Sequence, residues 1–111
     1  MNKSWSWNRR DVSLRIPAGS DSAKRIEHRV ASADANPYLV LACILSGLHH
    51  GLTKKLSPTD QVSFDNTEGA DKTADPEMPK NMESALNRFK ESKLLSKYLG
   101  KEYLDLYVSA K

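Results

Sequence analysis

Residues 25–50 read RIEHRVASADANPYLVLACILSGLHH, and the spacing of their apolar side chains changes once, near Asn36. Before that point Ile26, His28 and Val30 alternate with Arg25, Glu27 and Arg29. A strand turns successive side chains to opposite faces, so one face carries a carboxylate between two guanidinium groups. After it the chain is apolar almost continuously, and Asn36 can cap a helix whose first turn holds Pro37. The change of period from two to 3.6 predicts an α+β chain, with a helix from about Pro37 to His50 and Gly51 as the left-handed residue that ends it.

The strand has a partner upstream. Residues 12–16, VSLRI, alternate Val12, Leu14 and Ile16 against Ser13 and Arg15. Between the two strands lies PAGSDSAK, rich in turn formers, which predicts a hairpin or two nearby antiparallel strands. If the polar faces coincide, Arg15, Arg25, Glu27 and Arg29 project into one space. Two readings of that face are open. A solvated strand face with alternating charges contributes roughly 0 to 1 kcal/mol per exposed pair. Two arginines beside an acid also suit a phosphate or carboxylate, which guanidinium groups grip in bidentate fashion, and the acid suits a magnesium ion that bridges to a phosphate.

The helix that follows Asn36 is apolar nearly all round and is expected to be buried. Its apolar stretch YLVLACILSGL runs for about a dozen residues, short of the roughly 20 needed to span a membrane. His49 and His50 fall in its last turn, where the helix dipole favours positive charge, and no third ligand stands at metal-like spacing. Residues 57–80 are polar, with scattered Pro, Gly and Asp, and read as a long loop. From Asn81 onward Met82, Ala85, Leu86 and Phe89 recur at helical spacing, and Leu94, Leu95, Tyr98 and Leu99 extend the stripe to Gly100 as one helix or two short ones. KEYLDLYVSAK starts another helix, whose apolar pattern runs to the end of the sequence.

Composition sets the outer limits. The 111 residues carry 17 basic and 14 acidic side chains, a net charge of +3, on a chain that is 39% hydrophobic. That is one ordinary domain with a mixed surface, without the dense basic blocks of a dedicated nucleic-acid binder. Trp5 and Trp7 beside Arg9 and Arg10 are compatible with base stacking, though core or strand-edge packing is the expectation. The single cysteine, Cys43, lies in an apolar run and reads as a small core residue in a reducing compartment. MNKSWSWNRR lacks the apolar core of a secretory signal, so a cytoplasmic location is expected.

The order NRRDVSLRIP, RIEHRV, ADANPYLVLACILSGLHHGL resembles the C-terminal part of the catalytic domain of glutamine synthetases, and particularly the gamma-glutamylpolyamine synthetases, over about residues 5–110. The resemblance implies an ATP-dependent ligase that phosphorylates the glutamate side chain and lets ammonia or an amine attack the acyl phosphate. It implies ATP and Mg²⁺ (or Mn²⁺) as cofactors. Glutamate, an amine or ammonia, the remainder of the catalytic domain and further copies in a homo-oligomer would be partners, with neither nucleic acid nor membrane among them. Carried over by motif, Glu27 resembles the metal ligand nearest the transferred phosphate, and Arg29 the arginine that holds the glutamate side-chain carboxylate. Arg15, and one of Arg9 or Arg10, resemble phosphate-binding arginines. Family spacing favours Arg10, five before Arg15, whereas strand parity favours Arg9. Arg25 resembles a nucleotide-phosphate contact, while Ser22 stands where the family usually has a basic residue. The family's other metal carboxylates, metal histidine and closing acidic loop precede this region. The expectation is therefore residues 1–111 as a partial catalytic domain, a fragment inactive by itself, with a non-catalytic binding or assembly module as the alternative.

Overall fold

The computed structural model describes residues 3–62 and 77–111, and its architecture is α+β, as the change of period predicts. It divides into two compact units, one built from residues 1–34 and 58–78 and the other from residues 35–57 and 79–111.

The first unit holds a three-stranded sheet of β1 (Trp5–Trp7), β2 (Leu14–Ile16) and β3 (Glu27–His28), in that order. β2 and β3 are the predicted antiparallel pair, with Leu14 opposite His28 and Arg15 opposite Glu27. β1 is an element the sequence reading lacks, and it runs parallel to β2, with Ser6 opposite Arg15. Parallel neighbours usually require a crossover of a dozen or more residues; here only residues 8–13 intervene. Asn8 makes the tight return possible by adopting a left-handed backbone, φ 59°, a region that asparagine tolerates better than most residues. Its N–H donates to the Ile16 carbonyl at 3.0 Å and its side-chain oxygen accepts the Ala18 N–H at 2.6 Å. Residues 59–62 lie along β1: the Val62 N–H donates to the Trp5 carbonyl at 3.1 Å, and the Trp5 indole N–H donates to the Thr59 carbonyl at 2.7 Å. Trp5 and Trp7 are thus strand residues. A single 3₁₀ turn, Asp21–Ala23, interrupts the link between β2 and β3.

The second unit is helical: α1 (Pro37–Lys54), α2 (Met82–Glu91), α3 (Lys93–Leu99) and α4 (Lys101–Ser109). Asn36 caps α1 as predicted, its side-chain oxygen accepting the N–H groups of Tyr38 and Leu39. The far end departs from the reading. α1 runs through Gly51, and Lys55, φ 51°, is the left-handed residue that ends it. A helical glycine costs only about 0.5–1 kcal/mol, less than the hydrogen bonds that Leu52 and Thr53 gain by continuing. Asn81 and Ser84 form a reciprocal capping box at α2, Ser92 caps α3, and Gly100 takes φ 87° between α3 and α4. Leu104 is fully buried where α2 and α3 meet α4, and Phe89 packs on Tyr107 with ring centres 5.1 Å apart.

The expected burial of α1 is corrected. Only Ser46 is buried in it, while Tyr38, Leu41, Leu45, Leu48 and Leu52 are exposed, because α3 alone packs against it among the described residues. The proposed loop at residues 57–80 lies largely outside the described residues. No helix among the described residues is long and apolar enough to cross a membrane.

Candidate functional site

β3 turns its faces opposite to an ordinary half-buried strand. Ile26 and Val30, the apolar positions, are 61% and 41% exposed, whereas the side chains of Glu27 and Arg15 are 28% and 18% exposed. On the charged face Arg15 and Glu27 are partly covered, whereas Arg25 at 57% is exposed. His28, on the apolar side, is exposed.

The cross-strand register brings Arg15 to Glu27, and its Nη1 donates to Glu27 Oε2 at 2.8 Å. Arg25 donates from Nη2 to Glu27 Oε1 at 3.2 Å and from Nη1 to the Ala23 carbonyl at 3.4 Å. Arg29 Nη1 stands 3.6 Å from Glu27 Oε2, an ion pair beyond hydrogen-bond reach. Three guanidinium groups thus surround one carboxylate, and four of the predicted site residues share one cluster. The Arg15 hydrogen bond, helped by the charges of Arg15 and Arg25, holds the Glu27 carboxyl below the usual carboxylate range against the opposing effect of partial burial. The Nε groups of Arg15 and Arg29 are buried and have no hydrogen-bond partner among the described residues. Buried donors of this kind are normally satisfied. A cluster of three cations and one anion, with spare N–H donors, suits an oxyanion.

Arg9 and Arg10 part company. Arg9 is buried and forms a two-pronged ion pair with Asp11, Nε to Oδ1 at 2.8 Å and Nη2 to Oδ2, which lowers the Asp11 carboxyl below its usual range. Arg10 is exposed and joins none of the ion pairs at Glu27. Strand parity could not decide between them because residues 9–13 are not strand; they form the return from β1. The Arg9–Asp11 pair is the feature that sequence reasoning missed, although the i, i+2 spacing of opposite charges beside a tight return was visible. His49, read as structural, bonds through Nδ1 to the Tyr98 hydroxyl at 2.6 Å.

The Mg²⁺ implied by the resemblance is tested against this donor set. Glu27 is the sole carboxylate in the cluster, and among the described residues no group of three or more His, Cys, Asp or Glu side chains could hold a metal ion. Magnesium needs near-octahedral oxygen coordination, so these residues do not make such a site by themselves.

The sequence matches the family described as glutamine synthetase, catalytic domain, over residues 1–111. The chain belongs to the glutamine synthetase family. It is 41% identical over 108 residues to gamma-glutamylputrescine synthetase from Escherichia coli, covering 97% of this chain and 22% of that one. It is 35% identical over 111 residues to a glutamate–isopropylamine ligase from a Pseudomonas species, covering 99% and 24%. Against the glutamine synthetase of Clostridium saccharobutylicum it is 35% identical over 111 residues, covering 96% and 25%. The resemblance carried by NRRDVSLRIP, RIEHRV and ANPYL is borne out. This glutamine synthetase family chain spans about a quarter of the length of the curated relatives it matches.

Proposed function

We propose that residues 1–111 supply the anion-binding wall of an ATP-dependent carbon–nitrogen ligase that activates the glutamate side chain as an acyl phosphate and passes it to ammonia or an amine. The observation that carries the reading is the cluster of Arg15, Arg25 and Arg29 around a partly covered Glu27, with two buried guanidinium N–H groups that lack a partner among the described residues. In this reading Arg29 holds the carboxylate that is phosphorylated. Arg15 and Arg10 hold phosphate oxygens, and Arg25 contacts the nucleotide phosphates. Fixed cations aimed at a transferring phosphoryl group stabilise the charge that spreads over its oxygens, and in a partly dry site that term dominates. Glu27 would offer one oxygen ligand to Mg²⁺ or Mn²⁺, and the remaining ligands would have to come from outside this cluster. Both structural units belong to one partial catalytic domain, working in the cytoplasm within a homo-oligomer.

The relatives whose names carry an amine, gamma-glutamylputrescine synthetase and glutamate–isopropylamine ligase, favour an amine or polyamine acceptor. A second reading, an assembly or binding module that keeps the fold without the chemistry, is favoured by the lack of a metal-holding trio among the described residues. One chimaera separates them: residues 1–111 replace the matched stretch of the Escherichia coli enzyme, and phosphate release from ATP is measured with glutamate and putrescine. The ligase reading expects turnover from the chimaera and none from the 111-residue chain. A folded chimaera without turnover would favour the module.

A further inference from the structure

The helical unit carries a second concentration of positive charge, built differently from the arginine cluster. A cleft of about 730 Å³ opens between α2, α3 and α4, and four lysines line it: Lys90 from α2, Lys93 and Lys97 from α3, and Lys101 from α4. One carboxylate, Glu91, lines it with them. Asp105 lies alongside and pairs with two of these four lysines: it accepts from Lys101 at 2.6 Å and stands 3.9 Å from Lys90. Those two lysines, the Lys101 hydrogen bond first, hold its carboxyl below the usual range. Among the described residues neither Lys93 nor Lys97 meets a carboxylate. They sit one turn apart on the same helix face, where like charges repel. Ser96, between them in sequence, adds a hydroxyl to the lining.

We propose that this cleft binds an oligophosphate, a run of linked phosphate groups. Four ammonium groups drawn from three helices, set against the carboxylates of Glu91 and Asp105, leave a net positive rim centred on Lys93 and Lys97, which suits a ligand with several negative charges along its length, and the cleft is larger than one phosphate. Lysine is a compact point charge that binds phosphate oxygens without demanding one geometry. The lining holds no arginine fork and no aromatic ring, so neither planar carboxylate recognition nor base stacking is provided for. The ligand is either free oligophosphate or the triphosphate tail of a nucleotide, and in both cases the phosphates alone are read.

The test uses the 111-residue chain labelled for amide NMR and titrated with inorganic tripolyphosphate and, separately, with ATP. Saturable shifts at the Ser96 and Lys97 amides are expected with both, weakening as salt rises. K93Q/K97Q should weaken them about tenfold, the sum of two exposed charge contacts. K93R/K97R, which keeps the charges, should retain binding. R25Q/R29Q, which dismantles the arginine cluster, should leave these amides unaffected, so the cleft and the proposed ligase site stand or fall separately. Shifts from ATP alone would mean that the nucleoside is read and would contradict the proposal. So would saturation by an oligoglutamate of matched charge, or by oligothymidylate, at lower concentration than tripolyphosphate, and so would the absence of saturable shifts in the unmodified chain.

Discussion

The sheet unit and the helical unit are held together by different physics. Around the sheet, side chains that would ordinarily face solvent are turned inward: Arg9 and Ser13 are buried with Val12, and Glu27 is half-buried beside Arg15, while Leu14, Ile26 and Val30 face out. The helical unit is conventional at its centre, where Leu104 is fully buried and Phe89 meets Tyr107. Desolvated charges cost free energy unless each is paired, so a partly covered charge cluster on a small sheet is weak evidence for stability. The difference teaches that charge substitutions around Glu27 should alter chemistry more than folding, and apolar substitutions around Leu104 the reverse.

The strongest way to break that contrast is Leu104→Ala. Removing a fully buried leucine should destabilise the chain by about 2–5 kcal/mol in urea titrations followed by far-UV circular dichroism. A loss below about 1 kcal/mol would mean that α4 is not the packing centre of its unit. Next in size is Arg29→Lys in the chimaera, which keeps the charge and loses the fork. It should raise the KM for glutamate about tenfold, the scale of one charge-assisted hydrogen bond, with a smaller change for ATP. Equal changes for both substrates would detach Arg29 from the glutamate carboxylate. Asn36→Ala should cost about 1 kcal/mol through loss of the α1 cap, and Asn36→Asp should restore most of it.

Acid should separate the two units by a smaller margin. The folded-state pKa values of Glu27 and Asp11 are lowered by their arginine partners, so the stability they contribute is present above the ordinary carboxylate pKa and is lost as pH falls through the lowered value. Asp105 behaves likewise in the helical unit, beside Lys101. Both tryptophans lie in the sheet unit, so their fluorescence should change below about pH 4 before helical ellipticity falls. Coincident transitions would show that the charge pairs do not hold the sheet separately.

Local chemistry made part of this legible in the sequence. Asn36 and Pro37 announce the start of α1, and alternation placed Arg15 and Glu27 on facing strands. Interactions made at a distance were not legible. β1 depends on a return through Asn8 and on residues 59–62 lying along it, which no pattern within Trp5–Trp7 encodes. Alternation also names two faces without saying which is covered, and the apolar one turned out to be exposed at Ile26 and Val30. The end of α1 failed for a related reason: Gly51 permits a stop, yet the next residues favour continuing.

The central claim is that the partly covered charges of β3 form a working oxyanion site, and Glu27→Ala in the chimaera tests it most directly. Phosphate release from ATP in the presence of glutamate and putrescine is measured beside a check that the protein remains folded. Removing Glu27 takes away the oxygen proposed to meet the metal ion and leaves Arg25 and Arg29 as adjacent unneutralised charges, so turnover should fall on the order of 10²-fold or more, the scale of one lost preorganised transition-state contact. Near-normal turnover from a folded Glu27→Ala chimaera would contradict the account and leave the arginine cluster as a structural charge network.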